Sequence, residues 1–346
     1  MKKNNLIPVG KYINNYGEDG TRYVWEIDGC RDYYLESGAF SRRTKLGVGT
    51  RDEHIKAYTT SVSLGCGLEK MKSQCKFCVT GNRIPFGRFL SSREIALQNV
   101  FMVLDENAAF LEKEREFAYM GQGEPGLSYK SVKEAIIGTD IIMGKLGIKT
   151  YRHIFATAGI PSAIKKLTDD IKNSAYINNK ILLHISLHSV RERGKIMPVN
   201  DIFPLQDVVD ATKDYSHVTD EKVVMNFILF KNAILSGIGP ITNSSEEEII
   251  CLTKILDPKI HRIILCEYNL SSAGVSEEIT AKEVGKIERV LREAGFEVKR
   301  FAAFGKKDNL ACGLLGGKAE PNLSIEEIKE KLKQANNLVN KYVKNC

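Results

Sequence analysis

The chain has 346 residues, with 50 Lys+Arg against 43 Asp+Glu and a formal net charge of +7. Its 43% apolar and 27% charged residues exclude a disordered or collagen-like chain. No apolar run reaches the roughly 18 residues of a membrane span. Met1-Lys2-Lys3-Asn4-Asn5 lacks the apolar segment of a secretory signal, so a cytoplasmic protein with no membrane partner is expected.

At roughly 100–200 residues per domain, the length suits one large α/β domain or two ordinary ones. Residues 1–55 are polar and Tyr-rich, and predict an extension of short strands or turns. Strands are then predicted at Ser61–Leu64, Phe117–Met120, His153–Thr157, Ile181–Leu187, Val223–Leu229, Ile263–Tyr268 and Glu297–Phe301. Several are apolar runs, as suits strands covered on both faces. Helices are predicted between them at Ser92–Lys113, Ser128–Leu146 (with Ser128 as cap), Ile160–Ile171, Leu205–Tyr215, Ser244–Leu256 and Thr280–Ala294. Ser244 and Ser245 precede the acidic turn Glu246-Glu247-Glu248, a helix start. A C-terminal helix follows, capped by Ser324 with Glu326 and Glu327 in its first turn.

Alternating β and α units predict a parallel sheet with right-handed crossovers. Six or more such units favour a partial (β/α)6-type TIM barrel over a flat doubly wound sheet. Chemistry then belongs at the C-terminal ends of the strands. The expected organisation is an extension over 1–55, a core over 56–317 and a C-terminal helical segment over 318–346.

Eight cysteines are present, of which only Cys66, Cys75 and Cys78 cluster. A disulfide framework is not expected in so large a chain without a signal peptide. Three thiolates are one short of a closed zinc site. They can hold three irons of a cubic iron–sulfur cluster and leave the fourth open to a ligand. Phe77, between the last two cysteines, can shield such a cluster from water.

Cys75-Lys76-Phe77-Cys78 with Thr80-Gly81 resembles the cluster loop of radical S-adenosylmethionine (SAM) enzymes, and more specifically that of the RlmN/Cfr family of ribosomal RNA adenine methyltransferases. Met120-Gly-Gln-Gly123-Glu124-Pro125 resembles that family's Met-Gly-x-Gly-Glu-Pro. Ile185-Ser186-Leu187-His188 is similar to its Ile-Ser-Leu-His, and Met197-Pro198-Val199-Asn200 to its x-Pro-x-Asn. Asn269 follows a strand as in the family's Trp-Asn pair, with Tyr268 in place of Trp. Ala311-Cys312-Gly313-Leu314-Leu315 resembles the segment bearing the family's methyl-carrying cysteine.

The resemblance spans about Ser61 to Gly317. It implies a radical SAM fold, a 4Fe-4S cluster on Cys66, Cys75 and Cys78, and SAM chelated to the open iron. Reductive cleavage of SAM would give methionine and a 5′-deoxyadenosyl radical. Gly123 and Glu124 are implied to hold the amino group of SAM, Ser186 and His188 to contact SAM, and Asn269 to bond its adenosine part. Cys312 is the implied methyl carrier. A reductant such as flavodoxin or ferredoxin is the implied partner, and RNA the implied substrate.

Residue chemistry alone leaves alternatives. His188 also reads as a satisfied core histidine, Asn269 and Glu124 as turn residues, and Cys312 as a small buried residue. Ser186 and His188, two apart at a strand end, are expected on one face.

Three features depart from the family. Its spacing is Cys-x3-Cys-x2-Cys, whereas the first interval here is x8, an insertion at about Lys70–Gln74. Such a loop tolerates insertion at small entropic cost. The family's second cysteine, seven residues before the first cluster cysteine, is Thr59 here, which cannot form a disulfide; Cys30 is a conceivable replacement. Only 65 residues precede Cys66, so the family's N-terminal RNA-engaging region is expected to be shortened or absent; Arg42, Arg43, Lys45 and Arg51 could still touch phosphates, with a solvated surface the commoner outcome for such residues.

Three functions stay open on this reading. They are RNA-base methylation through Cys312, different radical SAM chemistry on a peptide, nucleoside or small metabolite, and a non-catalytic iron–sulfur or zinc-binding module.

Overall fold

The structure, a computed structural model, describes residues 6–13, 20–41, 55–106, 114–174, 181–269, 271, 273–301 and 322–344. Cys312 with its neighbours, and Arg42, Arg43, Lys45 and Arg51, lie outside them.

Among the described residues, ten strands form one sheet. β1 (Leu6–Ile13), β2 (Gly20–Ile27) and β3 (Cys30–Ser41) make an antiparallel meander, and β3 pairs antiparallel with β4 (Ile55–Thr59). From β4 onward the pairing is parallel, through β5 (Glu114–Tyr119), β6 (Thr150–Thr157), β7 (Ile181–Ser186), β8 (Val223–Leu229), β11 (His261–Glu267) and β13 (Val298–Phe301). Short β9 (Ala233–Leu235), β10 (Ile238–Ile241) and β12 (Gly274–Val275) form a separate sheet. Parallel neighbours follow chain order without reversal, the topology of an opened β/α barrel rather than a doubly wound sheet.

The crossovers carry α1 (Val79–Arg83), α2 (Ser92–Leu104), α3 (Tyr129–Lys145), α4 (Pro161–Lys172), α5 (Arg193–Ile196), α6 (Leu205–Thr219), α7 (Glu246–Ile255) and α8 (Ala281–Glu293); α9 (Ile325–Tyr342) closes the chain. Local sequence sets their starts. Ser91 with Glu94, Thr280 with Glu283 and Ser324 with Glu327 form reciprocal capping boxes, and Ser245 caps α7. Ser128 makes no side-chain cap bond, because the 3-10 turn Pro125–Ser128 runs directly into α3.

Alternation along the parallel strands divides the core. Phe117, Tyr119, Phe155, Leu183, Ile185, Met225 and Phe227 join the large cluster shared with the helices. Ala118, Ile154, Leu182 and Val224 point the other way and form a separate apolar layer on the opposite face of the sheet. Ser186 shares that face with Leu182.

Two expectations need correction. The first parallel strand is Ile55–Thr59, and Ser61–Leu64 is not a strand. The backbone N–H of Val62 goes to Gln122 O at 2.9 Å and that of Leu64 to Arg88 O at 3.0 Å, so the segment is stitched between two loops. The region expected as short strands or turns instead holds the meander, which extends the main sheet. Its hidden core explains this. Trp25 is buried with Nε1 bonded to Ser37 Oγ at 2.7 Å, and Arg22 with Glu36 forms a buried ion pair inside otherwise polar sequence. Among the described residues, no helix is long and apolar enough to cross a membrane.

Candidate active site

The exits of the parallel strands build one site. Beyond β4 the chain reaches Cys66 through Gly65, at φ +69°, where a Cβ would stand 2.5 Å from Pro85 O. The 3-10 turn Gly67–Met71 follows and ends at left-handed Lys72. Ser73 N and Oγ both donate to Leu68 O, at 3.0 and 3.2 Å, and Phe86 N donates to Glu69 Oε2 at 2.5 Å. The inserted residues thus close on themselves as a compact turn, and Cys66 and Cys75 return to one neighbourhood. Asn82 Nδ2 then locks the Cys75–Cys78 turn by donating to both carbonyls, at 2.8 and 2.6 Å.

Each cysteine is half-buried as a residue, and dense surroundings raise all three thiols by desolvation. The Cys75 thiol is raised further by Cys78, Cys66 and Glu124, which places all four groups within electrostatic reach. Opposing donors are aimed at the sulfurs. The Thr80 and Gly81 N–H groups and the Thr80 hydroxyl donate to Cys78, and the Leu68 N–H to Cys66. These donors offset part of the cost that burial places on a thiolate, an arrangement that suits an iron–sulfur cluster. Among the described residues, no set of three or more His, Cys, Asp or Glu is arranged to hold a single metal ion.

After β5 comes Met120-Gly121-Gln122-Gly123-Glu124. Gly123 has φ +101°, and a Cβ there would stand 2.2 Å from Ser63 Oγ; at Gly121 it would stand 2.5 Å from Ser61 Oγ. The close approach that demands glycine is thus between this loop and the 61–63 segment of the chain itself. Glu124 is buried. Its Oε1 accepts from Gly126 N at 2.8 Å and Thr157 Oγ1 at 2.5 Å, and its Oε2 from Ala158 N at 2.7 Å. Burial nevertheless holds its carboxyl above the ordinary range. A carboxylate offers about four acceptor sites, so one remains after these three bonds.

After β7, Ser186 is half-buried and His188 buried. The two do not share a face by strand alternation, because β7 ends at Ser186 and His188 has φ +56°. Leu187 and His188 N–H both turn to Asn226 O, at 3.0 and 3.3 Å. The imidazole Nδ1 accepts from Ile228 N at 3.0 Å, which puts the proton of the neutral ring on Nε2. Burial and the nearby Arg193 push its pKa down to about 3, so the ring is neutral at physiological pH. Phe77 meets this ring edge-on at 4.8 Å and Phe230 at 6.0 Å, and Phe230 meets Tyr268 at 5.2 Å. Tyr268 is within electrostatic reach of Cys78. Asn269, beyond the end of β11, is buried beside it.

Cysteine loop, Glu124, His188 and the Tyr268-Asn269 corner therefore meet at one rim. Thr59 ends β4, and Cys30 begins β3 at a hairpin whose Asp28 pairs with Arg88 at 2.6 Å.

Sequence reasoning missed four residues here. Thr157 and Ala158 bind Glu124. Arg193 spans the exits of β6 and β7. Asn243 is buried, accepts from Phe230 N at 2.6 Å, and donates to Ile228 O at 2.6 Å and to His188 O. Thr157-Ala158 directly follows a strand, a position that the barrel rule singles out; Arg193 and Asn243 carry no comparable sequence signal.

The chain matches no protein-family model. It is 30% identical over 264 residues to a probable dual-specificity RNA methyltransferase RlmN of Flavobacterium johnsoniae, covering 75% of this chain and 68% of the relative. The protein of the same name from Dictyoglomus thermophilum is 29% identical over 314 residues, covering 89% and 79%. The fold matches the crystal structure of a radical SAM methyltransferase from Sphaerobacter thermophilus with a TM-score of 0.73 over 90% of this chain and 81% of that one, at 19% identity. The motif order, the architecture and these relatives agree: the chain belongs to the RlmN/Cfr family of radical SAM enzymes, as a divergent member with a lengthened cysteine loop.

Proposed function

We propose that this enzyme methylates an RNA base, with Cys66, Cys75 and Cys78 holding three irons of a 4Fe-4S cluster, SAM on the fourth iron, and Cys312 as methyl carrier. The carrying observation is the convergence of three thiols and the Glu124 carboxylate at one rim of the parallel sheet. The RNA substrate is inferred from the names of the relatives. When bound, cluster and SAM supply one-electron cleavage of a sulfonium bond and hydrogen abstraction from an unactivated C–H bond.

The chain's residues supply the setting. The N–H groups of Leu68, Thr80 and Gly81 offset thiolate charge. Phe77, Phe230 and Tyr268 wall off water beside the cysteines. Glu124, beside Gly123, turns its remaining acceptor site to an ammonium group. Ser186, the Nε2–H of His188 and Asn269 provide polar contacts for the rest of SAM. The electron comes from a carrier such as flavodoxin or ferredoxin. The catalytic core runs over 56–317, between the extension 1–55 and the helical segment 318–346.

A second reading has one specific observation behind it. Thr59 ends β4 where the family resemblance calls for a thiol, and its hydroxyl cannot close a disulfide. A radical SAM reaction on a peptide, nucleoside or small metabolite would dispense with that step.

The test is anaerobic reconstitution with iron and sulfide, then dithionite, SAM and ribosomal RNA, with Cys75→Ala as control. The proposal expects 5′-deoxyadenosine and a methylated base from wild type and neither from the variant, with a methyl-sized mass increment on Cys312. Formation of 5′-deoxyadenosine with no RNA methylation selects the second reading. Absence of cluster and of 5′-deoxyadenosine refutes both.

A further inference from the structure

Arg193 is among the largest wholly buried side chains, at 1% exposure. Its Nη2 donates to Ala158 O at 2.6 Å and Ser186 O at 3.2 Å, and its Nη1 to Asn200 Oδ1 at 3.0 Å. Every one of these partners is a neutral oxygen, and Nε has none. Among the described residues no carboxylate pairs with the guanidinium, although Asp201 lies close, its Oδ1 3.0 Å from where a Cβ on Gly194 would stand. Glu192 pairs with Lys195 at 2.7 Å, and Glu248 accepts from Ser189 Oγ at 2.8 Å and from the backbone of Val190 and Arg191. Glu124 is held by Gly126, Thr157 and Ala158. A buried guanidinium met only by carbonyl dipoles is expensive unless an anion faces it.

The geometry names the anion. Ile196, at the end of the same helical turn, accepts from Lys76 N at 2.9 Å, so the cysteine loop is bonded to the element that carries Arg193. The carbonyls under the guanidinium belong to the strand exits that also frame Glu124 and His188. Cys75 and Arg193 influence one another electrostatically in both directions.

Resting on the radical SAM reading above, we propose that Arg193 is a built-in counter-charge for the cluster: a positioning residue that meets the negative charge a cluster held by Cys66, Cys75 and Cys78 would carry, while its fork fixes the exits of β6 and β7. One-electron reduction makes the cluster one unit more negative. A fixed positive charge beside it therefore favours the reduced form and raises the reduction potential.

The test compares anaerobically reconstituted full-length wild type, Arg193→Lys and the neutral Arg193→Gln by redox titration with dithionite, read by electron paramagnetic resonance. Arg193→Met is a second neutral variant should Arg193→Gln lose its far-ultraviolet circular dichroism. The expected result is about a tenfold shift toward the oxidised cluster at fixed potential in the neutral variant, or about 59 mV for a one-electron couple. Arg193→Lys, which keeps the charge without the fork, should restore most of it. A merely structural role would alter cluster occupancy but leave the midpoint of the loaded fraction unmoved. Equal midpoints in wild type and a folded, loaded neutral variant overturn the proposal alone. Failure of wild type to take up a cluster overturns the reading beneath it as well.

Discussion

Replacing Glu124 by Gln preserves shape and removes one acceptor. The carboxylate takes the Gly126 N–H and the Thr157 hydroxyl on Oε1 and the Ala158 N–H on Oε2, at 2.8, 2.5 and 2.7 Å. A carboxamide can present oxygen on only one side. With that oxygen toward Gly126, its NH2 opposes the Ala158 N–H; flipped, it opposes the Gly126 N–H. The Thr157 hydroxyl can rotate to accept, but a backbone N–H cannot. One buried N–H is orphaned in either pose, at about 1–3 kcal/mol, and the surviving bonds lose their charge assistance. Against this, the carboxylate itself is penalised by burial, which raises its carboxyl pKa, and the amide escapes that penalty. The net loss is therefore about 1–3 kcal/mol rather than more. A double-mutant cycle of Glu124→Ala with Thr157→Val isolates the pair, because alanine, unlike the amide, leaves the hydroxyl no side-chain partner at 124. Urea unfolding of the four proteins at pH 7, followed by far-ultraviolet circular dichroism, should give a Glu124–Thr157 coupling of about 1 kcal/mol or greater. Single-variant losses that add to within ~0.5 kcal/mol would refute the reasoning. They would mean that in solution the carboxylate faces the site and not Thr157.

Asn243→Ala should destabilise by about 2–4 kcal/mol, since three buried backbone groups lose their partner. Hydrogen exchange at Phe230 should accelerate, and unchanged protection there would contradict the role. Gly138→Val on α3 should cost about 2–3 kcal/mol, because even a Cβ would stand 2.5 Å from Val343 Cγ2. Limited proteolysis should then release α9, and wild-type resistance would count against the contact. His261 is buried, with Nδ1 accepting from Asp257 N at 3.0 Å and Nε2 bonded to Thr212 Oγ1 at 2.8 Å. Burial pushes its pKa from 6.5 to about 4. Between those values the unfolded chain binds a proton that the folded chain does not, so stability falls as pH falls. From pH 7 to pH 5 this group should remove about 2 kcal/mol, and His261→Gln should flatten that part of the urea-midpoint profile. An identical pH slope in wild type and variant would show that the ring titrates normally.

The parallel strands were legible because they are buried on both faces, and burial leaves long apolar runs such as Val223–Leu229. Capping boxes were equally local, and Ser324 with Glu327 is readable four residues at a time. Ser61–Leu64 misled because its alternation imitates a strand while its N–H groups are taken by Gln122 and Arg88, residues distant in sequence. The meander was hidden for a related reason: a buried Arg22–Glu36 pair makes a core strand look like surface.

By itself the sequence determined the chemistry on offer. Three closely spaced thiols, a Gly-Glu-Pro turn after a strand and a His just beyond another are local patterns, and proximity along the chain needs no fold to establish it. Tertiary structure alone decided how those groups are held. Glu124 is held by Thr157 and Ala158 across the β5–β6 step. His188 is turned by Ile228 and Asn243, and the inserted turn returns Cys75 to Cys66. Arg193 is buried against carbonyls that belong to two different strands. Hydrogen bonds between strand exits depend on which strands lie side by side, and that order belongs to the sheet, not to any window of sequence.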